Sequence, residues 1–309
     1  MGRLVDGKWV KTSIITSDDS GSYDRIPRSF LDEISPESKY KPEKDRYHLY
    51  VSYACPWAHR TLIYRELKNL QDFFPVSVVS PDMLEEGWTF DISFPGSTGD
   101  HNYQSQYLRE IYQKAQSDVS TSVTVPIVWD KQNETIVNNE SSQIIRFFNT
   151  AFNELTGNHD DYYPKELRGE IDKWNDLIYD NVNNGVYKSG FARNQNAYEK
   201  AVKSLFDVLD QIESHLEGKD FLVGNQLTEA DIRLYPTLIR FDAVYFTHFK
   251  CNLKRIKDYS NLSRYLKSLY ERDAFKKTTH IDHIKRHYYY SHEELNPKRI
   301  VPLGPKDIL

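Results

Sequence analysis

The 309-residue chain holds only two cysteines, Cys55 and Cys251, and two methionines. Two cysteines in a chain this long exclude a disulfide-built scaffold, so free thiols in a reducing compartment are expected. The first residues, "MGRLVDGKWVKTSIIT", contain no apolar core of the kind a secretory leader needs. No run approaches the ~20 apolar residues of a membrane-spanning helix. Basic residues are scattered among acids and the formal charge is −5, which argues against nucleic acid as a partner. The expectation is a cytoplasmic protein with neither a membrane nor a nucleic-acid partner.

What the chain does have is aromatic surface: 14% of residues are Phe, Trp or Tyr, including 22 tyrosines. The length suits two domains. Residues 1–46 are polar and broken by "SDDSGS", and read as an extended N-terminal arm. "YHLYVSY" from Tyr47 reads as a strand, Trp57 to Leu70 carries apolar residues at helical spacing, and "FPVSVVS" from Phe74 to Ser80 reads as a second strand. Residues 81–101 form a long excursion with Gly, Pro and Trp88. "NYQSQYLREIYQKAQ" reads as a helix, "VTVPIVWD" and "ETIVNN" as strands, and "ESSQIIRFFNT" as a helix. The order β-α-β-loop-α-β-β-α over residues 47–150 is that of a thioredoxin-like domain.

Helical periodicity dominates residues 164–285, which predicts an all-α second domain, followed by a Pro- and Tyr-rich tail over 286–309. The fold class is therefore α/β followed by all-α. In "LTEAD", Thr228 and Asp231 stand at capping-box spacing, so Asp231 is expected to cap a helix rather than to catalyse.

Three places could carry chemistry. Cys55 falls where a strand becomes a helix, with Pro56 at the first helical position. The helix dipole and the free N–H groups there favour a thiolate; the plainer alternative is a buried structural cysteine. Ala58 stands where a dithiol motif would have its second cysteine, so a cycle through Cys55 needs an outside thiol, of which glutathione is the natural one. Pro126 either takes a cis bond that turns the Val125 backbone outward toward an extended peptide, or is an edge-strand proline. Glu140 and Ser141 open a helix where they can hold an ammonium and a carboxylate, or Asn139 or Ser141 simply caps it. His280, His283 and His287 share a helix-like spacing, with His292 beyond, but no Cys or Glu joins them as a ligand, so no metal is expected.

"YACPWAHR", "VTVP", "NNES", "LTEADIRL" and "HYYYSHEELNPKRIVPLGP" together resemble the glutathionyl-hydroquinone reductases, the Xi-class glutathione transferases related to the omega class. The similarity runs from about Asp6 into the tail, and the tail motif separates this class from omega-class enzymes. The resemblance implies the two-domain glutathione transferase fold, a homodimer, and glutathione as co-substrate. It implies that Cys55 is the nucleophile, that Val125 pairs with the cysteinyl backbone, and that Glu140 and Ser141 hold the γ-glutamyl end. Trp88 would cover the glycyl side, and Arg109 would offer a cation to a glutathione carboxylate. Tyr187 and Tyr288 would line a hydroquinone pocket shared by the helical domain and the tail. Thr121-Ser122, where relatives are expected to have glycine and a basic residue, and the bulky Tyr53 depart from the pattern. An omega-like thioltransferase or dehydroascorbate reductase is the alternative activity.

Overall fold

The structure is a computed structural model that describes residues 2–12, 16–18, 20–24, 28–307 and 309. The chain divides into two compact units, each discontinuous in sequence. One comprises Met1–Ile14, Ile26–Asp160 and Thr278–His287; the other comprises Ile15–Arg25, Asp161–Lys277 and Tyr288–Leu309.

The first unit begins with a hairpin, β1 (Gly2–Val5) against β2 (Lys8–Lys11), inside the stretch expected to be an extended arm. Asp6 and Gly7 make the turn with φ of 47° and 71°, the left-handed pair that a two-residue hairpin loop requires. A Cβ on Gly7 would lie 1.9 Å from the Ser117 carbonyl oxygen, so only glycine fits.

The central sheet has the order β4-β3-β5-β6, where β3 is Tyr47–Val51, β4 Val76–Val78, β5 Ile127–Asp130 and β6 Thr135–Asn138. Strand β3 pairs parallel with β4 and antiparallel with β5, and β5 pairs antiparallel with β6. All five residues of β3 are buried, which its aromatic and β-branched composition suits. Helices α1 (Pro56–Leu67), α2 (Leu108–Ala115) and α3 (Ser141–Thr150) complete the expected β-α-β-loop-α-β-β-α order. Phe74, Phe148, Phe152 and Tyr47 pack ring against ring beside the sheet.

Two expected boundaries move. The helix expected from Asn102 begins only at Leu108. Asp100 captures the amides of Asn102, Tyr103 and Ser105, and Gln104 has φ 56°, so this stretch is a turn. The strand expected to contain Pro126 starts after it, at Ile127.

The second unit holds a short antiparallel pair, Thr16–Ser17 with Tyr23–Asp24, and is otherwise mainly helical, its longer helices being α4 (Arg168–Ile178), α5 (Gly185–Gly190), α6 (Gln195–His215), α7 (Glu229–Arg240) and α8 (Ser260–Tyr270). Short π-helical stretches, Tyr179–Asn183 and Phe241–Tyr245, follow α4 and α7. The α7 start is the expected capping box. Asp231 accepts the Thr228 N–H at 2.8 Å and its hydroxyl at 2.9 Å, along with the Leu222 N–H and the Tyr265 hydroxyl. The last helix, α9 (Ile281–Ser291), contributes its residues through His287 to the first unit and the rest to the second.

Candidate active site

Cys55 is the N-cap of α1, with φ −74° and ψ 122°, and Pro56 occupies the first turn. Its N–H donates to the Ser52 carbonyl at 3.1 Å and its carbonyl accepts the His59 N–H at 3.0 Å. These bonds place the side chain at the mouth of the helix, half-buried, while the Cys251 thiol is fully enclosed in the second unit. Burial pushes the Cys251 thiol up to about 12.

The Cys55 thiol donates to the Val125 carbonyl at 3.6 Å. The Val125–Pro126 bond is cis. One residue earlier, Thr124 is fastened to Tyr112: the phenol donates to the Thr124 carbonyl at 2.9 Å and accepts its N–H at 3.2 Å. Asn139 Nδ2 donates to the same phenol at 3.1 Å. Tyr112 thus ties the backbone beside Cys55 to the start of α3. Sequence reasoning missed it, because its partners lie 12 and 27 residues away.

At α3 the N-cap is Glu140 itself, in place of Asn139 or Ser141. Its Oε1 accepts the Ser142 N–H at 2.9 Å, the Ser142 hydroxyl at 2.9 Å and the Ser141 hydroxyl at 3.4 Å. Asn138 Oδ1 holds the Glu140 N–H at 2.7 Å, and Asn138 Nδ2 donates to Gln143. Burial opposes ionisation of Glu140, but the Ser142 donors and the charges of Arg28 and Arg60 outweigh it and hold the carboxyl below its usual range. Cys55, Val125, Glu140 and Ser141 therefore belong to one hydrogen-bonded framework around two helix N-termini.

Trp88 is buried, and its carbonyl accepts the Leu108 N–H at the start of α2. Its ring stacks on His287 at 4.8 Å. Arg109 forks onto Glu86, with Nη1 on the carbonyl at 2.8 Å and Nη2 on the carboxylate at 2.7 Å. The guanidinium also lies over the Tyr107 ring at 3.8 Å and the Trp9 ring at 5.0 Å. It therefore already has a carboxylate partner. Thr121, one of the departures, is buried against Ser29, and Tyr53, the other, stacks on His280 at 3.7 Å.

In the second unit, Tyr187 and Tyr288 meet hydroxyl to hydroxyl at 2.5 Å, and Tyr245 adds a third phenol at 2.9 Å from Tyr288. Of the three tail tyrosines, Tyr288 is the one joined to Tyr187; Tyr289 donates to the Ala243 carbonyl, and Tyr290 lies under Arg299. Burial and the Tyr187 and Tyr245 phenols push the Tyr288 pKa well above that of an ordinary tyrosine, so this buried hydroxyl stays protonated. The histidines at helix-like spacing are separately engaged: His280 with Tyr53, His283 with Pro95, His287 with Pro81 and His292 with His248. Among the described residues no cluster of three His, Cys, Asp or Glu could hold a metal ion, and no helix is long and apolar enough to cross a membrane.

A thioredoxin-like sheet bearing an N-cap cysteine without a second thiol, in a chain with a mainly helical second unit, fits the glutathione transferase class. Comparison with known proteins agrees. The family models for the glutathione S-transferase N-terminal and C-terminal domains match residues 54–151 and 195–268. Glutathionyl-hydroquinone reductase YqjG of Escherichia coli is 51% identical over 99% of this chain and 95% of its own length. PcpF of Sphingobium chlorophenolicum, of the same name, is 48% identical over 99% and 96%. The structure of the Xi glutathione transferase of Phanerochaete chrysosporium superposes with a TM-score of 0.93 at 54% identity, covering 95% of this chain and 96% of that one. The glutathione-bound structure of YqjG superposes with a TM-score of 0.91 at 49% identity, covering 99% of this chain and 97% of that one. The chain belongs to the glutathionyl-hydroquinone reductases, the Xi class of the glutathione transferase family.

Proposed function

We propose that the protein reduces glutathionyl-hydroquinones to hydroquinones at the expense of glutathione, through a mixed disulfide on Cys55. The observation that carries this is the half-buried Cys55 thiol at the N-cap of α1, 3.6 Å from the Val125 carbonyl and with Ala58 where a resolving cysteine would stand. A helix N-terminus favours the thiolate form. The thiolate attacks the sulfur of the conjugate, forming the Cys55–glutathione disulfide and breaking the carbon–sulfur bond. The bond's electron pair leaves with the ring carbon, which takes a proton to give the hydroquinone. A second glutathione thiolate attacks the glutathione sulfur of the mixed disulfide, returns Cys55 as thiolate and leaves oxidised glutathione. The thioether sulfur of the conjugate and one glutathione thiol become one disulfide, and the ring carbon gains the two electrons.

In this reading Val125 offers its backbone to the cysteinyl residue of glutathione, and Glu140 and Ser141 take the γ-glutamyl ammonium and carboxylate. Trp88 covers the glycyl end. Arg109 would serve the glutathione carboxylate only by sharing its guanidinium with Glu86. Tyr187 and Tyr288 hold the hydroquinone ring, Tyr288 donating a hydrogen bond toward it. In the same reading residues 47–150 are the glutathione-binding domain, 164–285 the helical domain and 286–309 a tail that completes the hydroquinone pocket, although Thr278–His287 group with the first compact unit. Action as a homodimer in the cytoplasm, where glutathione is kept reduced, belongs to the same proposal.

The test is to incubate the protein with a glutathionyl-hydroquinone and glutathione and follow hydroquinone release by chromatography, in parallel with Cys55→Ser. Release that Cys55→Ser abolishes is expected; release that does not depend on Cys55 would overturn the mechanism. Reduction of dehydroascorbate with no action on the conjugate would favour the omega-like activity instead.

A further inference from the structure

The excursion over residues 81–101 is fastened near both ends to one face of α9. Arg286 forks onto Asp82, Nε to Oδ1 at 2.6 Å and Nη2 to Oδ2 at 2.7 Å. His287 Nδ1 donates to the Pro81 carbonyl at 2.9 Å, and its ring carries the Trp88 stack. His283 Nε2 donates to the Pro95 carbonyl at 2.8 Å, and Phe94 sets its edge on the same imidazole at 4.9 Å. Positions 283, 286 and 287 are three and four residues apart and share one helix face. The contact is close: a Cβ on Gly96, whose φ is +95°, would lie 2.7 Å from His283 Nε2. Trp88 hangs between these anchors, and the ring of His287 supports it directly.

We propose that the Asp82–Arg286 fork holds the 81–101 segment in the conformation that presents Trp88 to glutathione. Arg286 and Asp82 are then positioning residues that set affinity for glutathione while leaving the thiol exchange at Cys55 to other groups. The proposal rests on the reading that Trp88 covers bound glutathione. The physical reason is geometric. A bidentate guanidinium–carboxylate pair fixes orientation as well as distance, and this one is partly shielded, with 29% and 26% of its side chains exposed. A loop released from such a clamp spends only part of its time competent to bind, and apparent affinity falls by that fraction.

The test compares the full-length protein with Arg286→Met, Arg286→Lys and the swap Asp82→Arg/Arg286→Asp. Glutathione affinity is measured by calorimetry, and KM and kcat by hydroquinone release. Backbone hydrogen exchange is followed over residues 81–101. Arg286→Met is expected to weaken glutathione binding by about five- to tenfold and to raise KM in proportion, with kcat at saturating glutathione changed far less. Exchange in the segment should quicken. Arg286→Lys should fall between, since an ammonium cannot fork, and the swap should recover part of the affinity. Unchanged exchange, or quickened exchange with unchanged affinity, would overturn the proposal, as would a loss confined to kcat. If Arg286→Met does not fold, the lysine and swap variants give the same readings. Failure of the wild-type protein to release hydroquinone would instead strike the proposed function, while calorimetry would still report on the clamp.

Discussion

Glu140→Gln isolates the charge that the proposed site offers to the γ-glutamyl ammonium. All three donors to the Glu140 carboxylate reach Oε1, so among the described residues Oε2 is the oxygen left for a ligand. A glutamine carbonyl can keep the Ser142 N–H bond, so the cap survives; Glu140→Ala would also lose about 1 kcal/mol of capping. Hydrogen bonds to charged groups contribute about 1.5–3 kcal/mol, which predicts a glutathione KM about ten- to hundredfold higher in Glu140→Gln. The folded protein holds this carboxyl below its usual range, so its stabilising effect is complete above the unfolded pKa and lost as pH falls through the folded one. Neutral pH therefore leaves the full charge in place, and an acid-side loss of glutathione affinity in the wild type should be absent from the variant. The assay is glutathione affinity and steady-state kinetics from pH 8 down to about pH 3, below the usual carboxylate range, with thermal denaturation as a control. A KM within twofold of wild type in a folded Glu140→Gln protein would refute the assignment.

Three further outcomes are expected. At pH 8 one thiol should react rapidly with a maleimide: with its thiol pushed up to about 12, Cys251 is ionised to about one part in ten thousand, and peptide mapping should find Cys251 labelled only after denaturation. Asp231→Ala strands the Leu222 and Thr228 N–H groups and the Thr228 and Tyr265 hydroxyls in the interior, and should cost about 3 kcal/mol or more in urea unfolding; a loss below about 1 kcal/mol would contradict the capping role. Tyr288→Phe should slow hydroquinone release by about tenfold while sparing reduction of a small glutathione mixed disulfide, and equal losses on both substrates would remove Tyr288 from the hydroquinone site.

What the sequence disclosed was what neighbouring residues decide. The strand, Cys55, Pro56 and the helix are consecutive, and the structure has them as read. The Thr228–Asp231 box is a three-residue relation and is also in place. The β1–β2 hairpin was equally local: Asp6-Gly7 lies between Leu4-Val5 and Trp9-Val10, a pattern that polar surroundings obscured. Other features depend on distant partners. Periodicity places a helix from Asn102, but Asp100 binds three of the amides that the helix would need. The Tyr112 phenol that joins the Thr124 backbone to Asn139 carries no mark in a chain of 22 tyrosines. Arg109 illustrates the same limit for charge, since a cation's partner is a matter of tertiary approach and here it is Glu86.

The two cysteines illustrate how the fold assigns different chemistry to one side chain. Cys251 sits in an interior whose burial penalises its thiolate, and this outweighs the Ser189 hydroxyl and the Lys250 charge that favour it. Cys55 is the N-cap of α1, where the helix dipole favours negative charge. The two thiols belong to separate compact units, and Ala58 removes the local alternative. An internal disulfide cycle would need a second accessible thiol, and the only other cysteine is one that burial keeps protonated. On the proposed reading the reducing equivalent must come from solution, one glutathione at a time. That requirement turns a thioredoxin-like site into one that needs a defined place for a tripeptide. The framework from Val125 through Tyr112 and Asn139 to Glu140 is a hydrogen-bonded element on which such a place can be built.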